Sequence, residues 1–267
     1  MRTIAIDWSG RKTGERQVIR VAEARDGKLV RIEGGRSRSE VIDHLISEKL
    51  RDPNLVAGFD FSFSLPAWFV LEQGCSTAPE FWRTAAKQGE DWLANCDEPF
   101  WGRAGHKRPP HDEQRPQLRK TDVETAAAAQ PRGLTPRSPF QISGAGSVGA
   151  ATVRGLPCLA RLHDAGFNIW PWHDVSPPAA IEIWTRIAIG DTVKSNSSGR
   201  IEAVAADRRI PKALKDAAAE TEDAFDAATT AVWLSQHSEA LLATRRSNSR
   251  IDRLEGKTWL PSAGAAT

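Results

Sequence analysis

The 267 residues suffice for one elaborated domain or two small ones, and their apolar share is ordinary for a globular chain. No apolar run is long enough to span a bilayer, the start at Met1-Arg2-Thr3 does not read as a signal peptide, and a net charge of +2 is too small to argue for nucleic acid by itself. Cys75, Cys96 and Cys158 are widely spaced with no CxxC pair, which points to free thiols in a reducing compartment and a cytoplasmic protein rather than a disulfide frame or zinc site.

Thr3 to Asp7 reads as a buried strand, and Gln17 to Ala24 as a second strand with alternating polarity. Asp26-Gly27 marks a tight hairpin turn, after which Lys28 to Glu33 pairs back. Val41, Ile42, Leu45 and Ile46 recur at helical spacing within Ser39 to Leu50, with Ser39 as the expected N-cap. Asp52-Pro53 stops that helix and Leu55 to Asp60 forms the next strand, so the sheet is expected to be mixed. From about Cys75 to Pro139 periodicity weakens, and an insertion of helical pieces and long loops over one end of the sheet is expected, as a lid or substrate platform. Its second half is basic, with Arg103, Lys107, Arg108, Arg115, Arg119, Lys120, Arg132 and Arg137, which describes a solvated loop or a phosphate-contacting surface. Leu156 to Ala165 resumes as a helix, Phe167 to Trp172 and Ala180 to Ile187 as strands, and Ile201 to Arg208 and Pro211 onward as helical segments. The helix from about Glu220 to Ser235 is the last strong element, and the tail Ala263 to Thr267 is expected to fray. Most of the ten Trp lie in apolar contexts and are assigned to cores.

Two acids end apolar strands: Asp7 in Ile4-Ala5-Ile6-Asp7 and Asp60 in Val56-Ala57-Gly58-Phe59-Asp60. Acids at strand C-termini sit on the rim where open α/β sheets bind ligands. Asp223 and Asp226, three apart, share one face of the last helix, where Ala227, Ala228 and Ala231 allow close approach to a sheet. Acids gathered at one rim repel unless a cation joins them, so the pattern points to a divalent metal site at Asp7, Asp60 and Asp226. Glu182 alternates with apolar neighbours in Ile181-Glu182-Ile183-Trp184 and reads from the residues alone as a plain outward-facing strand residue. Gly144 to Gly149 matches GxGxxG literally, but no strand feeds it; a tight loop near the site, with N–H groups facing a phosphate, is expected instead of a dinucleotide site.

The strings Ile4-Ala5-Ile6-Asp7, Gly58-Phe59-Asp60-Phe61-Ser62-Phe63-Ser64-Leu65-Pro66, Ile181-Glu182-Ile183-Trp184 and Asp223-Ala224-Phe225-Asp226-Ala227, in that order, resemble the domain-of-unknown-function family 429, described as RNase H-like nucleases. The last string also resembles the final helix of Holliday-junction resolvases of that fold. The resemblance implies an α/β, RNase H-like three-layer fold with a mixed five-stranded sheet, in a single domain over residues 1–267 with an insertion at about 75–139. It also implies catalytic acids at Asp7, Asp60, Glu182 and Asp226, with Asp223 beside them. The corresponding expectation is a nuclease in which Asp7, Asp60 and Asp226 hold two Mg²⁺ or Mn²⁺ ions about 4 Å apart. Glu182 or Asp223 would complete the shell, and Lys194 and Arg200 would hold the nucleic-acid backbone, DNA or RNA. Two alternatives stand beside it. Asp7-Trp8-Ser9-Gly10-Arg11-Lys12-Thr13 faintly resembles the first phosphate loop of sugar-kinase and actin-type ATP-binding phosphotransferases, and a non-catalytic nucleic-acid- or protein-binding module would use the acids structurally.

Overall fold

The hairpin and returning strand expected at the N-terminus are present in a computed structural model, which describes residues 1–129, 134–190, 192 and 194–261. Strands β1 (Arg2–Asp7), β2 (Arg20–Arg25) and β3 (Lys28–Glu33) form an antiparallel meander. Asp26 and Gly27 both take positive φ, as a two-residue hairpin turn requires. Helix α1 (Arg38–Arg51) follows, but its cap is Ser37, two residues before the expected Ser39. Ser37 and Glu40 satisfy each other's backbone N–H groups in a capping box, so the turn starts as early as that pair allows. Strand β4 (Leu55–Phe59) then returns parallel to β1, with Arg2 opposite Leu55 and Ile6 opposite Phe59.

The remaining elements are α2 (Ala67–Glu72), α3 (Ala78–Asn95), α4 (Lys120–Ala128), α5 (Gly149–Asp164), β5 (Asn168–Ile169), β6 (Ala179–Glu182), α6 (Thr185–Ile189), α7 (Ser197–Ala206), α8 (Lys215–Ala219), α9 (Glu222–Gln236), α10 (Ser238–Ala243) and α11 (Arg250–Glu255). The sheet order is β3-β2-β1-β4-β6-β5, so among the described residues it has six strands rather than the expected five. Both late strands join it, although β5 contributes only two residues, Asn168 and Ile169, in parallel with β6. The expected strand from Ala180 to Ile187 ends at Glu182. After Ile183 donates to the Phe59 carbonyl at 3.0 Å, Thr185 turns toward Asp60 and starts α6. Helix α9 is the last long element, as expected, and the six-residue α10 and α11 follow it.

Alternation along the strands covers both faces. Ile4, Ile6, Ala57 and Phe59 enter one apolar cluster with Leu45 of α1, Phe81 of α3 and Leu159 of α5. Ala5, Val56 and Ile181 enter a second with Phe225, Ala228 and Ala231 of α9. The result is three layers, helix–sheet–helix. Much of the expected insertion belongs to the first helical layer. Thr77 and Glu80 form a capping box, and Phe81, Trp82, Ala85, Gly89 and Leu93 are buried along α3, which packs on α5. The stretch from Cys96 to Arg119 is irregular, as expected. The expectations for Arg132 and for Ala263 to Thr267 lie outside the described residues.

All three cysteines are buried free thiols, and none of the ten Trp is exposed. No helix among the described residues is long and apolar enough to cross a membrane.

Candidate functional site

Asp7 is the last residue of β1, and Asp60 follows the last residue of β4. Because Ile6 pairs with Phe59, the two acids occupy the next step of one parallel register. The Asp60 N–H donates to the Ile6 carbonyl at 3.2 Å, which holds that step in place. Both carboxylates therefore emerge at the C-terminal rim of neighbouring central strands.

Helix α9 brings the third acid. Its approach depends on small residues: a Cβ on Gly58 would lie 2.8 Å from Ile183 Cγ2 and 3.0 Å from Leu234 Cδ1. Thr3 Oγ1 donates to the Ala231 carbonyl at 3.0 Å and ties β1 to α9. Asp226 is 3 % exposed on this face. Its Oδ2 accepts from Lys194 Nζ and lies 3.4 Å from Thr185 Oγ1, whereas its Oδ1 is buried without a partner. The same Thr185 hydroxyl is 3.1 Å from Asp60 Oδ2. A hydroxyl has one proton to donate, so Thr185 can satisfy only one of these two carboxylates at a time.

The electrostatics follow from that crowding. Burial pushes the Asp7 carboxyl well above its ordinary value, and Asp60, Asp226 and Asp223 push it further while Lys194 opposes them. Burial and then Asp226 raise Asp60 to about 6 against the hydroxyl of Thr185 and the charge of Lys194. Asp226 is also raised, by burial first, with the Lys194 ion pair opposing. Burial alone would lower Lys194, but the attraction of Asp226, Asp7 and Asp60 reverses the sign and raises it. These acids favour a proton or a cation among them. As the side chains stand, no group of three His, Cys, Asp or Glu among the described residues could hold a metal ion. The Lys194 ammonium bonds Asp226 and acts on Asp7 and Asp60 through its charge.

Glu182 is placed differently. Its Oε2 accepts from the Phe63 N–H at 2.7 Å and Arg119 Nη1 at 2.8 Å, and its Oε1 from Arg119 Nη2 at 2.5 Å and Thr258 Oγ1 at 2.7 Å. Arg119 is 1 % exposed and also clasps Asp122 and the Glu255 carbonyl. Four donors fill both oxygens, so Glu182 locks the start of α4 to the sheet and offers no free lone pair comparable to Asp226 Oδ1. Asp223 is half-buried one turn before Asp226 and acts on the cluster through its charge. Arg200, expected to touch substrate, is 8 % exposed and donates to the carbonyls of Ala219 and Lys194. It fixes the backbone that carries Lys194 instead of facing solvent.

Beside Asp60 lies an open cavity of about 250 Å³ whose lining includes Arg137, Arg186, Lys194, Trp184 and Val148. The Gly144 to Gly149 loop borders it, as expected: a Cβ on Gly146 would sit 3.2 Å from the Arg137 guanidinium. Arg137 belongs to the basic stretch noted in the sequence, but Thr185 and Arg186 carried no signal beyond following the Glu182 strand. Comparison with known protein families, curated proteins and solved structures finds no match for this chain. The resemblance to family 429 therefore rests on the quoted strings and their order.

Proposed function

We propose that this protein is a divalent-metal-dependent hydrolase of phosphodiester bonds in nucleic acid, built on an RNase H-like core. The observation that carries the reading is Asp226 Oδ1, a buried and unpartnered carboxylate oxygen beside two strand-end acids that already crowd one another. An orphaned charged oxygen of this kind is costly unless a cation completes it. The core assignment draws support from the order β3-β2-β1-β4-β6, with β2 antiparallel to β1 and α9 packed across the meander.

Asp7, Asp60 and Asp226 are the residues that would hold Mg²⁺ or Mn²⁺, hard cations suited to carboxylate oxygens. When bound, such an ion supplies an acidified water and charge stabilisation at the phosphoryl oxygens. Thr185 stands between Asp60 and Asp226 and orients whichever of the two its single hydroxyl proton serves. Lys194 neutralises Asp226 and Arg200 fixes its backbone. Arg137 and Arg186, on the cavity wall, suit an anionic backbone passing beside Asp60.

The test is cleavage of single-stranded, duplex and branched DNA and RNA by the purified protein with Mn²⁺, alongside calorimetric Mn²⁺ binding by wild type and Asp7→Asn. Cleavage that requires Mn²⁺ and is lost with metal binding in Asp7→Asn supports the reading. Failure to cleave any of these substrates, with Mn²⁺ binding unchanged by Asp7→Asn, sinks it.

A further inference from the structure

The family resemblance implies two metal ions, yet one of the acids, Asp226, is already bonded to a lysine. Lys194 is no chance surface contact. Buried Arg200 reaches back from α7 and donates from Nη1 to the Lys194 carbonyl at 2.6 Å, and from Nε to the Ala219 carbonyl at 3.2 Å. The backbone at Lys194 is thereby tied to the end of α8. The half-buried ammonium then bonds Asp226 Oδ2 and lies in the field of Asp7 and Asp60.

We propose that Lys194 occupies one of the two cation positions at this rim, so that the site takes a single divalent ion. The inference rests on the metal-dependent reading above and deepens it by fixing the number of ions. Charge count favours it. Asp7, Asp60, Asp223 and Asp226 carry at most four negative charges, against which one dication and one ammonium supply three positive charges. Two dications with the ammonium would supply five, with all three cations competing for the same oxygens. The two oxygens of Asp226 divide accordingly: Oδ2 is taken by Lys194, whereas Oδ1 is buried and without a partner. Lys194 is in this sense a positioning residue: it takes over the charge of a second ion and limits where the first can sit.

The experiment counts bound Mn²⁺ per full-length chain by equilibrium dialysis at pH 8, with electron paramagnetic resonance on the same samples. Wild type is expected to bind one ion with the signal of an isolated Mn²⁺. Lys194→Met is expected to bind two, with the broadened spectrum of a coupled pair, and Lys194→Arg to return to one. Should Lys194→Met fail to fold by circular dichroism, Lys194→Gln replaces it with the same expectation. Two ions in wild type, or one ion in both wild type and the Met or Gln variant, overturns the proposal while leaving the metal-dependent reading standing. No ion in wild type overturns both.

Discussion

Replacing Asp60 by Asn removes one ionisable group from the rim while keeping its shape. In the metal-free protein Asp60 titrates at about 6 instead of the ordinary 3.8, chiefly because of burial and then because of Asp226. Two pKa units at about 1.4 kcal/mol each make the ionised side chain cost roughly 3 kcal/mol at neutral pH. Asn retains one acceptor for Thr185 but weakens that bond, which returns about 1 kcal/mol. Asp60→Asn should therefore stabilise the metal-free protein by about 2 kcal/mol, or roughly 4–8 °C in Tm for a chain of this size. The sign depends on pH. A raised carboxyl pKa means that the folded state binds more protons than the unfolded state between 3.8 and about 6, so wild-type stability falls as pH rises through that window. The advantage of Asn is accordingly full above about pH 6.5 and absent below about pH 3.5. Adding metal should reverse the ranking, because wild type gains about 2.7 kcal/mol at one hundred times its Kd and the variant loses a ligand. Differential scanning calorimetry in EDTA and in Mn²⁺, at several pH values, makes the comparison. A variant less stable than wild type in EDTA at pH 7.5, or one that gains as much from Mn²⁺, would mean that Asp60 carries no strain from burial and Asp226 that a cation relieves.

Glu182→Gln should lower stability by about 3 kcal/mol, because it leaves buried Arg119 with a weakened partner set, and urea unfolding measures this. Unchanged stability with lost Mn²⁺ binding would instead make Glu182 a ligand. Gly10→Ala would place a Cβ 2.3 Å from the Ala151 backbone nitrogen and 2.6 Å from the Ala150 carbonyl carbon. Backbone cannot step aside as a side chain can, so the loop after Asp7 must shift from α5. The expected cost is roughly 1–3 kcal/mol with weaker Mn²⁺ binding, and an unaltered melt and isotherm would contradict it.

The parts of the fold written in local chemistry were legible in the sequence. Asp26-Gly27 specified its hairpin, and the alternation of Val18 to Glu23 anticipated β2 despite a late start. The α3 helix was missed: Thr77, Glu80 and the spacing of Phe81, Ala85 and Gly89 carry its signal, but the Pro- and Arg-rich stretch after it makes the whole segment read as an insertion. Asp7, Asp60 and Asp226 could be picked out because acids interrupt apolar patterns there. What no local pattern encodes is which of several acids meets which cation. Glu182 and Asp226 both read as acids among apolar residues, yet one is filled by Arg119 from 63 positions away and the other only half filled by Lys194 from 32. Arg200 illustrates the same limit: its charge suggested a substrate contact, and burial against two carbonyls gave it a different task.

The pairing of Ile6 with Phe59 has a consequence for how such a chain can change over generations. The separation of Asp7 and Asp60 is inherited from the repeat of a parallel ladder, so no loop length enters into it. Deleting one residue inside β1 or β4 would turn a carboxylate to the opposite face, whereas additions between Cys96 and Arg119 leave the strand register untouched. Change is thus easier at exposed positions of that stretch, such as Arg103 to Arg108, than at its buried Phe100 and Arg119, while the two strand ends stay fixed to the residue.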